Sequence, residues 1–120
     1  IFVTGILAAF LVPRPYDKNQ LERSREGSTK GNLGAIRSAV AIYYQDHNGK
    51  WPKSITEGFS EYLAPVPTAK ASPLGKSTSV TITEGPPEGF GTGWAYDPET
   101  GDVRCYSVAT DSRGTSFVDY

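Results

Sequence analysis

The sequence predicts an α+β domain in which one long N-terminal α-helix carries a small C-terminal antiparallel β-sheet on its second half. Two patterns carry this reading. Leu33, Ile36, Val40 and Tyr43 recur at three- and four-residue intervals, with Ala35, Ala39 and Ile42 beside them, the spacing that lines one face of a helix. After residue 77 the apolar positions alternate with hydroxyl residues and are punctuated by Gly/Pro turns, as strands require. A helix stripe of that kind has to be covered, and the apolar face of a sheet covers it.

The elements follow in order. Residues 1–12, IFVTGILAAFLV, carry no charge, and only Thr4 and Gly5 interrupt their apolar run. As a helix the run would rise roughly 18 Å, at about 1.5 Å per residue, whereas a bilayer core takes about 20 residues. It reads as a fragment of a longer apolar helix. Pro13 and Pro15 break the pattern, because each lacks a backbone donor and biases its predecessor away from the helical region. From Tyr16 the chain is polar and helix-compatible until Asn48 and Gly49 stop it and Pro52 prevents resumption. Gly27, Gly31 and Gly34 weaken this helix by up to about 1 kcal/mol each relative to Ala, which suggests close packing by neighbouring helices.

Residues 49–77 form a loop region in which Pro52, Pro65, Pro67 and Pro73 leave room only for short turns; Ile55, Phe59, Tyr62 and Leu63 suit one short helix. A strand is expected over 78–83, then the loop EGPPEGFGTG, then a hairpin of 93–97 and 102–108 around Pro98, Glu99, Thr100 and Gly101. Residues 115–120 are expected to return as a last strand. The chain thus divides into an apolar segment, 1–15, and a globular domain, 16–120, made of helix 16–48, loops 49–77 and antiparallel strands 78–120.

Composition limits the chemistry. With 120 residues the chain affords one domain, and a net charge of −1 supplies no field that would favour nucleic acid or an anionic membrane. The single cysteine, Cys105, excludes an intrachain disulfide. Methionine is absent, position 1 included, as in a processed or truncated chain. The one histidine, His47, precedes Asn48 and Gly49, where helix-end capping or solvent exposure is the expected role, so no nucleophilic triad is supported. One Cys and one His cannot close a zinc site.

The carboxylates Asp97, Glu99, Asp102 and Asp111 stand in or beside the terminal turns and are calcium candidates, weighed against ordinary turn capping. Tyr43, Tyr44, Trp51, Trp94 and Tyr96 are read as core packing rather than as a ligand platform; Trp94 and Tyr96 share a strand face by period two. GFGTG lacks the lysine of a phosphate loop. Arg23, Arg25 and Lys30 alternate with Glu22 and Glu26, so ion pairing is expected there and DNA binding is not.

Three segments in order carry a family resemblance: residues 5–9 (GILAA) followed by Pro13, residues 22–52 (ERSREGSTKGNLGAIRSAVAIYYQDHNGKWP) and residues 93–114 (GWAYDPETGDVRCYSVATDSRG). They resemble the helix, the turn after it and the terminal hairpin of bacterial type IV pilins and of the closely similar major pseudopilins of type II secretion. The resemblance implies a pilin-like fold and a structural subunit rather than an enzyme. It also implies that an assembly core made of Gly5, Ile6, Leu7, Ala8, Ala9, Phe10, Leu11, Val12 and Pro13 joins identical subunits in a helical homopolymer.

The same resemblance implies residence in the bacterial inner membrane after cleavage by a prepilin peptidase. Transfer by assembly machinery into an extracellular or periplasm-spanning filament would follow. The sequence departs from the family in three ways. Its glycine already stands at position 5, so about nine residues, the family's glutamate among them, would precede Ile1. Residues 13–20, PRPYDKNQ, do not follow the usual pattern, and Cys105 has no partner for the C-terminal disulfide of many pilins. A long pilus and a secretion piston both stay open, as does a different class, a membrane-anchored secreted binding domain for sugar or calcium.

Overall fold

The computed structural model describes residues 18–120, so segment 1–15 and its proposed assembly residues lie outside the described part. The first element is α1, Lys18–Asp46, which buries Glu26, Thr29, Leu33, Ile36, Ala39 and Val40. These positions lie on one face by the three-to-four spacing, so the stripe read from Leu33 onward begins two turns earlier with polar members. Gly49 N–H donates to Tyr44 O at 2.9 Å, and Asn48 and Gly49 adopt φ of 55° and 83°, the left-handed ending expected of that pair. Gly27, Gly31 and Gly34 face open space in this chain, since a Cβ on any of them would meet nothing within 4 Å.

Three strands follow: β1 (Val80–Ile82), β2 (Phe90–Asp97) and β3 (Asp102–Ser107), in sheet order β1-β2-β3. The hairpin of β2 and β3 is antiparallel with Asp97 opposite Asp102, as the turn chemistry predicts. The sheet is nevertheless mixed, not an antiparallel meander. β1 runs parallel to β2, with Val80 beside Trp94 and Ile82 beside Tyr96. Residues 83–89 and the first four residues of β2 make the return that a parallel neighbour demands, since pairing with β1 begins only at Trp94. Asp97 holds this return by accepting from Gly85 N–H at 2.9 Å. Gly93 is required at its end: φ is +67°, and a Cβ would fall 2.2 Å from Ser79 O.

Two expected elements are absent. Residues 55–63 make turns, with Tyr62 and Leu63 both donating to Phe59 O; Gly58, in the middle of the segment, adopts a left-handed φ of 69° that a right-handed helix cannot contain. In place of a last strand, Thr110 and Ser116 form a single bridge and Phe117–Asp119 a 3-10 turn.

The core lies between α1 and the sheet. Leu33, Ile36 and Val40 meet Trp94, Tyr96, Val103 and Cys105, with Phe59, Leu74 and Phe117 closing the margins. Both buried aromatics of β2 keep a polar partner: Trp94 Nε1 donates to Pro67 O at 2.8 Å and the Tyr96 hydroxyl to Pro52 O. Ala95 and Asp97, on the other face of β2, are buried as well. Arg37 ties helix to sheet by donating to Val103 O at 2.9 and 3.1 Å and to Tyr120 O at 2.8 Å. The result is an α+β domain of pilin-like outline, one long helix with a small sheet packed on its second half.

Candidate functional site

A cleft of about 650 Å³ opens where α1 ends. It is built by the helix's last turn and the segment carrying Lys50 to Gly58. The floor is aromatic: Tyr43 and His47, one helical turn apart, stack with centroids 3.7 Å apart and planes at 4°. Phe59 and Tyr62 brace Tyr43 from the core side at 5.8 and 5.2 Å. His47 Nδ1 lies 3.0 Å from Tyr43 O. A carbonyl can only accept, so Nδ1 is the donor in this contact. Trp51 forms a second wall, steadied by Tyr44 at 4.0 Å.

Polar groups surround this floor. Asp46 accepts from the Tyr62 hydroxyl through Oδ2 at 3.0 Å, which leaves Oδ1 for other donors. Burial first, then the bond to Asp46, raises the Tyr62 hydroxyl above its usual range, so it remains a donor. Ser54 accepts at Oγ from the N–H groups of Thr56 and Glu57, both at 3.1 Å, and so fixes the loop that presents Glu57. Lys50, Lys53 and Asn48 complete the rim. Two cations thus face two carboxylates around an aromatic floor, a nearly neutral lining rich in both donors and acceptors.

The sequence-based site residues fall in different places. Leu33, Ile36, Val40, Trp94 and Tyr96 are fully buried, while Tyr43 is half-buried and contributes both to the core margin and to the cleft. The expected split between core aromatics and a ligand platform therefore runs through Tyr43. Cys105 is buried in the core, and burial pushes its thiol up to about 12, far from any nucleophilic role.

Among the described residues, no three acidic, His or Cys side chains gather as a metal site, the calcium candidates included. Asp97 accepts from Gly85 and Glu99 N–H, Asp102 pairs with Arg104 at 2.6 Å, and Asp111 accepts from Arg113, Thr115 and the Tyr120 hydroxyl. Their lone pairs serve turns, which is the competing use of a loop carboxylate. The cleft itself had only an indirect signal in the sequence: several aromatics and charges close to a helix stop.

The assembly reading is corrected. Among the described residues no helix is long and apolar enough to cross a membrane. α1 has a mostly polar surface, and its apolar stripe is covered by its own sheet. Homopolymer and inner-membrane partners, assembly machinery, filament localisation and a pilus or secretion-piston role all rest on an apolar assembly helix that the described chain does not supply. They are set aside.

The fold and cleft define a small α+β domain with an open surface cleft at the end of its long helix. Comparison with protein-family models, with curated proteins and with solved structures gives no match.

Proposed function

We propose that this chain is a non-catalytic binding domain whose cleft at the end of α1 takes a neutral, polyhydroxylated ligand of the sugar class. The observation that carries this is the lining: a stacked Tyr43–His47 floor beneath a balanced ring of Asp46, Glu57, Lys50 and Lys53. Carboxylates and amides match the paired hydroxyls of a sugar, ammonium groups donate to its ring and hydroxyl oxygens, and aromatic rings take up its C–H faces. A strongly charged ligand would meet repulsion from one half of this ring. Kinship with type IV pilins and pseudopilins is part of the proposal as a statement about scaffold; the ordered resemblance of residues 22–52 and 93–114 and the helix-on-sheet outline support it.

Saturation-transfer NMR with neutral trisaccharides of glucose, galactose and N-acetylglucosamine tests the ligand class. The expected result is saturable transfer from one of them, reduced about tenfold or more in affinity by E57Q or K50A, as loss of a charge-assisted hydrogen bond predicts. Absence of transfer from all three, or transfer unchanged in both variants, refutes the reading.

A further inference from the structure

We infer that a second site, independent of the cleft, binds a small tetrahedral oxyanion of the phosphate type between α1 and the turn that follows β3. Arg23 and Lys30 on α1 and Arg113 on the turn line one cavity of about 90 Å³, together with Glu26, Gly27 and Asp111. That is about three times the ~30 Å³ share of one water in the liquid, room for a single oxyanion.

The two carboxylates in this cavity are already committed. Glu26, 7% exposed, accepts from Ser112 N–H at 2.9 Å and from its hydroxyl at 2.6 Å. Asp111 accepts from two backbone N–H groups at 2.9 Å and from the Tyr120 hydroxyl at 2.8 Å. The cations make no such close contact with a carboxylate, although Lys30 attracts Asp111 at longer range. Among the described residues, no carboxylate lies within 4 Å of the charged nitrogens of Arg23, Lys30 or Arg113, whereas Arg25 and Arg104 each have such a partner. Lys30 instead sits over the Tyr120 ring, 4.7 Å from its centroid, which steers the ammonium toward the turn.

The acids therefore act as struts that fix the turn against the helix. The cations are left to hold an anion from two sides. Two guanidinium groups and an ammonium provide the directed, charge-assisted donors that a tetrahedral oxyanion uses. The helix side is open at Gly27, where an added Cβ would meet nothing within 4 Å.

The test is an amide NMR titration of the full chain with inorganic phosphate, against chloride at matched ionic strength and against acetate. Saturable shifts with phosphate at Gly27 and across 110–115, weakened about tenfold or more by R23Q or R113Q, support the site. G27D gives a second measure, since it places a carboxylate in the cavity without removing any contact; it should abolish the shifts while the rest of the spectrum is kept. Glycerol 3-phosphate distinguishes the source: tighter binding than inorganic phosphate assigns a phosphomonoester, and weaker binding assigns the free ion. Equal responses to chloride or acetate, or shifts that survive G27D, overturn the proposal.

Discussion

Gly101 offers the sharpest test of how the cleft wall is held. It closes the β2–β3 turn at φ +72°, and a Cβ on it would lie 2.3 Å from Trp51 Cε3 and 2.4 Å from Cδ2. Two costs of Gly101→Ala can be separated. Holding an L-residue in the left-handed region costs about 1–2 kcal/mol. The steric overlap adds about 1–3 kcal/mol, because Tyr44 also packs on the indole, at 4.0 Å, and limits its retreat. The expected loss is roughly 2–5 kcal/mol, read as a fall in the urea midpoint at unchanged slope.

A double-mutant cycle isolates the contact. In a Trp51→Ala background only the backbone part remains, so the same glycine replacement should cost about 1–2 kcal/mol. Equal costs in the two backgrounds, or a cost below about 0.5 kcal/mol in the native one, would refute the argument that Gly101 is present to make room for Trp51.

Three further outcomes are expected. Thr29 Oγ1 accepts from the buried Ala71 N–H at 3.0 Å and donates to Arg25 O at 2.7 Å. Thr29→Val leaves that N–H unsatisfied and should cost about 1–3 kcal/mol in denaturant titration, whereas Thr29→Ser should recover most of the loss. Hydrogen bonds from Gly85 and Glu99 N–H hold the Asp97 carboxyl below its ordinary range. Its folded pKa is depressed, so its contribution is fully present above the unfolded value of about 3.9 and is lost as pH falls through the lower folded value. The thermal midpoint of D97N should therefore fall less steeply than that of the parent below about pH 4. Cys105 should resist an aromatic disulfide reagent in the native protein and react fully in denaturant; immediate reaction of the native thiol would contradict its burial.

What the sequence shows and what it hides follow from the range of the interactions involved. α1 and the β2–β3 hairpin are legible because their signals are local: a stripe at helical spacing, a left-handed stop at Asn48–Gly49, and a Pro98-to-Gly101 turn between alternating runs. The direction of β1 is not, because alternation in 78–83 marks a strand without naming its neighbour. Only the return of the chain between Ile82 and Trp94 makes the pair parallel. The polar start of the helix stripe is hidden for a similar reason. Glu26 and Thr29 look like solvent positions until Ser112 and Ala71, 86 and 42 residues away in the chain, satisfy them. The same contacts shape the second cavity: Ser112 donates to both oxygens of Glu26, and neither Arg23 nor Lys30 makes the close ion pair with that carboxylate that the helix sequence alone suggests. A charge pattern that reads as self-paired along one helix thereby becomes a cationic site after a distant turn has taken up its acid.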